Sequence, residues 1–213
     1  EKAAGYDLSA CIDGDVVIPP HGTVKIGTGL SLSLPDGIFG AIWAPEMHRA
    51  PNGRWYVYTS GDTTPGREWT LRLVCLESET SDPFDGFHFK SFPLPGVQAI
   101  DPTGHWTPDG RGYLACARMG GGGEHLAIYE LANPWTCRGA GVEVARPTLP
   151  WEKKAGRILE GPFFVKGAGD GLFIVYSAND TRSEHYALGA LAFAGHVLRV
   201  GMEVVPVHES PKS

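Results

Sequence analysis

Trp55-Tyr56-Val57-Tyr58-Thr59-Ser60, Tyr113-Leu114-Ala115-Cys116-Ala117 and Phe173-Ile174-Val175-Tyr176-Ser177-Ala178 are three versions of one strand. Each run is short and apolar, rich in aromatic, β-branched or small residues, which suits a buried strand better than a helix. Each follows a turn-forming triplet: Pro51-Asn52-Gly53, Pro108-Asp109-Gly110 and Gly169-Asp170-Gly171. Triplets of this kind close β-hairpins. The offsets from Tyr56 to Tyr113 and from Tyr113 to Phe173 are 57 and 60 residues. One four-stranded blade with generous loops fills such a period, so the spacing predicts an all-β chain built as a β-propeller.

Working outward from these hairpins, each is preceded by an acid 10 to 13 positions before the aromatic residue: Glu46, Asp101 and Glu160. All three lie within two residues of a proline: Pro45, Pro102 and Pro162. The innermost strand of a blade begins at the central channel, so acids at one phase of the repeat are expected to point into one pocket. Carboxylates crowded together raise each other's pKa, a recurrent way of making acid–base pairs. Taken singly, each could instead cap a strand end by accepting backbone N–H groups. Trp43, His105 and Trp106 flank two of the acids. Indole faces stack on the C–H face of a sugar and carboxylates accept its hydroxyls. Trp43, Glu46, His105 and Trp106 are therefore the expected substrate-binding residues. Trp55, Tyr56 and Phe173 read as core, and His125, His185 and His196 as surface residues.

Of 213 residues, 18 are Lys or Arg and 24 Asp or Glu, a net charge of −6. This balance argues against a partner such as nucleic acid or an anionic membrane surface. Glycine and proline together make 46 residues, as a chain of many turns and short strands requires. No apolar run reaches the roughly 20 residues of a membrane span, and no signal peptide is visible, which leaves the compartment open. Cys11, Cys75, Cys116 and Cys137 have no metal-ligand spacing and read as buried free thiols.

The first 40 residues have a different texture. Val16-Val17-Ile18, Thr23 to Ile26 and Leu30 to Leu34 read as short strands, and Pro35-Asp36-Gly37 as a turn. Ala4-Gly5-Tyr6-Asp7-Leu8-Ser9-Ala10, Ile18-Pro19-Pro20, Thr28-Gly29-Leu30 and Leu34-Pro35-Asp36-Gly37 resemble the opening of a trimeric dUTPase. That resemblance implies a magnesium-side carboxylate at Asp7. The family's uracil-pocket and phosphate-binding motifs do not follow. Residues 1–40 are thus expected to be a dUTPase-like β fragment, and dUTP hydrolysis is one alternative function.

Residues 41–193 resemble glycoside hydrolase family 43, in its arabinofuranosidase and arabinanase-like members. The resemblance is carried by Trp43-Ala44-Pro45-Glu46-Met47-His48, Gly53-Arg54-Trp55-Tyr56-Val57-Tyr58, Ile100-Asp101-Pro102-Thr103, Asn133-Pro134-Trp135-Thr136, Trp151-Glu152, Glu160-Gly161-Pro162 and Tyr176-Ser177-Ala178. It implies a five-bladed propeller, hydrolysis with inversion, Glu160 as general acid and Asp101 as the residue that orients this acid and tunes its pKa. The implied partner is a plant-type polysaccharide or oligosaccharide containing arabinose or xylose, and a calcium or water site lies in the family's channel. The family's general base is an Asp upstream of the Trp-Ala-Pro-Glu motif, where this chain carries the dUTPase-like segment. Asp36 is the nearest upstream acid and matches no motif of the family. The 173 residues after position 40 suffice for about three blades. The expected layout is 1–40, then a partial propeller over 41–213, with weakened catalysis or a sugar-binding remnant as the functional alternatives.

Overall fold

The structure, a computed structural model, describes residues 14–18, 38, 40–64, 70–120, 122–168, 171–193 and 204–205. By its contacts the chain divides into two compact units, Glu1–Asp36 and Gly37–Ser213. In the first unit, residues 14–18 form no strand, which corrects the reading of Val16-Val17-Ile18. β-branched residues favour a strand only where a neighbour completes the ladder, and the Pro19-Pro20 pair that follows has no N–H to offer one. Asp7, Cys11, Thr23 to Ile26, Leu30 to Leu34 and the Pro35-Asp36-Gly37 turn lie outside the described residues, as do Gly169-Asp170 and His196.

The second unit is all-β, as the repeat predicts. Among the described residues it forms three sheets of four strands each, joined in sequence order by antiparallel pairing. The first holds β1 (Gly40–Arg49), β2 (Trp55–Asp62), β3 (Leu71–Ser78) and β4 (Phe87–Ser91). The second holds β5 (Ala99–Trp106), β6 (Gly112–Arg118), β7 (His125–Asn133) and β8 (Thr136–Ala145). The third holds β9 (Leu159–Lys166), β10 (Leu172–Ala178), β11 (Ala187–Phe193) and β12 (Val204–Val205). β5 packs against both β1 and β9, so the first strand of each sheet is the innermost, as in a propeller blade. The region after Gly195, read as one or two strands, contributes β12.

Two apolar layers hold the blades together. Tyr56, Tyr58, Leu73 and Cys75 of the first blade pack against Leu114, Cys116, Ala127 and Tyr129 of the second. On the other face of the second blade, Ala115, Ala117, Leu126 and Ile128 pack against Leu159, Ile174, Tyr176 and Leu191 of the third. Strand alternation explains this division, since neighbours along β6 and β7 point to opposite faces. Tyr56 is fully buried, as expected. Cys75, Cys116 and Cys137 are free thiols; the first two are buried and the third half-buried. Burial pushes all three pKa values up, Cys137 to about 12, so none is a reactive thiolate at neutral pH.

The register makes the repeat explicit. Trp43 pairs with Ser60, Ile100 with Ala117 and Glu160 with Ser177. Pairing resumes at Glu46 with Tyr58, Thr103 with Ala115 and Phe163 with Val175. In each blade two residues therefore oppose one, a β-bulge in the innermost strand. The bulge is built from a residue with positive φ followed by proline: Ala44 (φ 44°) and Pro45, Asp101 (φ 54°) and Pro102, Gly161 (φ 56°) and Pro162. Proline fits because a bulge frees the strand from donating an N–H there.

Candidate functional site

The bulges bring the motif acids together. Asp101 carries its carboxylate on a left-handed residue, a conformation that Asp tolerates better than most side chains. Its N–H donates to Ser60 Oγ at 3.1 Å, and its Oδ2 accepts the Gly161 N–H at 2.9 Å. One residue thus ties the inner ends of all three blades. Burial holds the Asp101 carboxyl above its ordinary pKa, the Gly161 N–H pulls it back, and Glu46 pushes it up again.

Glu160 directly precedes Gly161. Its Oε1 accepts the Tyr186 hydroxyl at 2.9 Å. Burial raises its pKa first of all; Tyr186 opposes the rise and Asp101 and Asp180 add to it. Tyr186 is itself fixed by a clamp on the loop before it. Asn179, fully buried with φ 76°, accepts from Ala155 N and donates to the carbonyls of Trp151 and His185.

Glu46 lies two positions beyond Ala44, with Oε2 2.8 Å from His48 Nε2; the Gly104 N–H is 3.3 Å from the same nitrogen, and the imidazole tautomer decides which of the two contacts is the hydrogen bond. The three acids therefore do not occupy one phase of the repeat. Relative to the bulge proline, Glu160 is at −2, Asp101 at −1 and Glu46 at +1. They are electrostatic neighbours all the same, since Asp101 senses Glu46 and Glu160 senses Asp101.

The aromatic residues are divided. Trp43, 37% exposed, occupies in the first blade the position that Glu160 holds in the third. His105 and Trp106 lie at the opposite end of β5. At about 3.3 Å per residue, Trp106 is about 15 Å along the strand from Asp101. The Trp106 indole packs on the layer between the first two blades and tilts against His48. His105 stacks against Phe164 at 5.1 Å; burial, with Lys166 and His48, lowers its pKa. His185 is half-buried. His125, read as a surface residue, is only 6% exposed. It lies in phase with Ala127 and Tyr129 on the packed face of β7, and strand alternation takes it inward.

Glu124, unremarked in the sequence, joins the cluster. It follows the Gly120 to Gly123 run and directly precedes β7. Its pKa is pushed up to about 7, by burial first and then by Glu160 and Asp101. A charged residue between a glycine run and an apolar strand is the one signal that could have found it. No group of three or more His, Cys, Asp or Glu side chains able to hold a metal ion occurs among the described residues. No helix there is long and apolar enough to cross a membrane.

Comparison with known proteins agrees with this architecture. The family described as glycosyl hydrolases family 43 matches residues 31–195. An extracellular exo-α-(1→5)-L-arabinofuranosidase of Streptomyces avermitilis is 35% identical over 168 residues, covering 74% of this chain and 33% of that protein. The crystal structure of an α-L-arabinofuranosidase from Lactobacillus brevis superposes with a TM-score of 0.69 at 27% identity, covering 81% of this chain and 57% of that one. The chain thus spans about a third of the first relative's length and somewhat over half of the second's. A deoxyuridine 5′-triphosphate nucleotidohydrolase of Paramecium bursaria Chlorella virus 1 is 45% identical over 42 residues, 20% of this chain and 28% of that protein. A family match over most of the chain, three propeller blades and carboxylates gathered where their inner strands bulge lead to one conclusion: this chain belongs to glycoside hydrolase family 43.

Proposed function

We propose that the chain acts on arabinose-containing polysaccharide or oligosaccharide as a glycoside hydrolase with inversion, with Glu160 as general acid and Asp101 as the residue that positions it. The supporting observation is the hydrogen bond from the Gly161 N–H to Asp101 Oδ2, which holds the peptide next to Glu160. Glu160 protonates the glycosidic oxygen as its bond to the anomeric carbon breaks, and water attacks the opposite face of the sugar. In inverting enzymes the base that activates this water stands about 6.5–9.5 Å from the acid. A half-buried carboxyl with a raised pKa keeps a proton to donate closer to neutral pH than a free one. Tyr186 sets the direction of Oε1. Trp43 is a stacking platform at the acid end of the channel, and Glu46 an acceptor for sugar hydroxyls. His105 and Trp106 fit contacts further along the channel.

Residues 1–40 form, in this reading, a dUTPase-like fragment, and residues 41–213 the partial propeller. The 42-residue likeness to a dUTPase supports the first assignment. The family match from residue 31 and the division after Asp36 support a junction close to residue 40.

The experiment is hydrolysis of nitrophenyl α-L-arabinofuranoside, with and without azide as a small nucleophile in place of activated water. Hydrolysis is expected to be slow alone and faster with azide, because the dUTPase-like segment stands where the family's base would lie. Glu160→Gln is expected to cost the roughly 10²–10⁴-fold typical of general acid catalysis. Hydrolysis unchanged in Glu160→Gln would remove Glu160 from the mechanism. Sugar binding with no hydrolysis in either condition would make the chain a binding module.

A further inference from the structure

We infer that Tyr186 is a positioning residue that commits Oε1 of Glu160, so that the proton given to the glycosidic oxygen is carried on Oε2, an assignment that rests on the proposed role of Glu160 as acid.

The hydrogen bond itself comes first. The Tyr186 hydroxyl donates to Glu160 Oε1 at 2.9 Å. Tyr186 stays neutral throughout the working range. Burial first of all pushes its pKa up to about 12, a hydrogen bond with Ser177 opposes the rise, and Glu160 and Asp101 add to it. A neutral phenol has one proton to give, and an ionised carboxylate offers only acceptor sites. An oxygen that faces a phenol at this distance does not also face a glycosidic oxygen. A proton placed on Oε1 would point at Tyr186 and not at a sugar. The proton that leaves the enzyme therefore leaves from Oε2. The Oε2–H bond breaks as the glycosidic oxygen takes the proton, the electron pair stays on the carboxylate, and the Tyr186 bond stabilises the charge that results.

The backbone around the pair is built to hold it. The Asn179 N–H donates to the Ile158 carbonyl at 3.1 Å, and its Oδ1 accepts the Ala155 N–H at 2.9 Å. Both partners lie on the approach to β9, two and five positions before Glu160. Asn179 Nδ2 donates at 2.9 Å to the carbonyl of His185, the residue before Tyr186. One buried side chain thus spans the segment that delivers the acid and the loop that delivers the phenol. The Tyr186 N–H donates in turn to the Ser183 carbonyl at 3.3 Å. Ser177 pairs with Glu160 across the ladder, as Ser60 pairs with Trp43 in the first blade. Ser60 Oγ accepts the Asp101 N–H, so a serine at this register serves an acid in both blades.

The charges facing Glu160 all have its own sign. They are Asp101 on β5, Asp180 on the loop after β10, and Glu124 ahead of β7, which is fixed by backbone bonds to Arg157 and Leu159. Tyr186 acts against them, because its donated bond favours the ionised form.

The test is Tyr186→Phe, which keeps the ring and deletes the hydroxyl. Its first readout is hydrolysis, with azide, of an arabino-oligosaccharide and of nitrophenyl α-L-arabinofuranoside. A sugar alkoxide needs the proton in order to leave, whereas nitrophenolate leaves with little help. A loss of kcat of at least about tenfold is expected on the oligosaccharide, and a much smaller one on the nitrophenyl substrate. Equal losses on both would overturn the inference, since a merely structural defect does not distinguish leaving groups. The second readout needs no turnover. In carboxyl ¹³C NMR of the full chain labelled at glutamate, titrated between about pH 4 and 9, the Glu160 resonance is assigned with Glu160→Gln. Its midpoint should move up in Tyr186→Phe, because a donor to the ionised form is gone. An unchanged midpoint would overturn the inference. If the midpoint moves but Glu160→Gln leaves oligosaccharide hydrolysis intact, the acid assignment fails while the Tyr186 bond stands.

Discussion

Replacing Gly161 by alanine isolates the cost of the bulge that presents the acid. Gly161 has φ 56°, and the nearest atom to a Cβ added there is Ser177 Oγ at 3.8 Å, an ordinary contact. No clash and no cavity enters, and the N–H that Asp101 accepts is kept. What remains is the penalty of an L-residue in the left-handed region, about 1–2 kcal/mol, offset in part by the unfolded-chain entropy of about 0.4–1 kcal/mol that alanine removes, a net loss of about 1 kcal/mol. For a chain of this size each kcal/mol lowers Tm by about 2–4 °C, so a drop of about 2–4 °C is expected in a calorimetric melt. The first blade provides the reciprocal change. Ala44 holds the equivalent position at φ 44° and already bears the penalty. Ala44→Gly relieves it but adds unfolded-chain entropy of about 0.4–1 kcal/mol, leaving a gain of up to about 1 kcal/mol. Opposite signs at equivalent positions are the signature to look for. If Gly161→Ala melts with the unmodified chain, or Ala44→Gly falls in parallel with it, the bulges are not alike and the repeat has been aligned wrongly.

Two further outcomes follow from the same residues. Asp101, Glu124 and Glu160 all have folded pKa values above their unfolded ones, so their stabilising contribution is complete at low pH and is lost as pH rises through the folded values, up to about 7 for Glu124; because Glu124 is partly exposed, its share after solvent screening is about 1 kcal/mol, and Glu124→Gln should recover about 2–4 °C of Tm at pH 8 and nothing near pH 4.5, an equal loss at both values counting against the reasoning. No release of pyrophosphate from dUTP is expected, since Asp7 stands without the motifs of the uracil pocket and phosphate tail; release abolished by Asp7→Ala would show otherwise.

The blades were legible because their outer signals are local. A hairpin needs its turn triplet and two apolar runs, and Tyr56, Tyr113 and Phe173 prove to be register equivalents. Glu46, Asp101 and Glu160 all lie at or beside the bulges, but not at one phase of the repeat. Their distances to those aromatic residues are 10, 12 and 13, and the inequality carries the answer. Trp43, Ile100 and Glu160 all lie 13 residues before the aromatic, and the three prolines all lie 11 before it. Proline, not the carboxylates, marks the repeat, because the bulge is a backbone requirement and the acid is chemistry added beside it. His125 was misread because polarity was weighed above its strand phase. Glu124 was missed because its position depends on a contact between blades, at Arg157 and Leu159, that no local pattern encodes.

The bulge also bears on symmetry. Three blades repeat one backbone device, and identical side chains at one position of it would have given a ring with the rotational symmetry of the propeller, suited to a spherical guest such as a cation. Instead the carboxylates take three different levels, one before the left-handed residue, one on it and one beyond the proline. The offset changes in one direction along the chain, from beyond the proline in the first blade to two residues before it in the third, so the carboxylates form a staggered series and not a collar. An offset series has a hand that a ring of identical side chains lacks, and it arises here from shifts of single residues along near-equivalent inner strands while the backbone device stays the same.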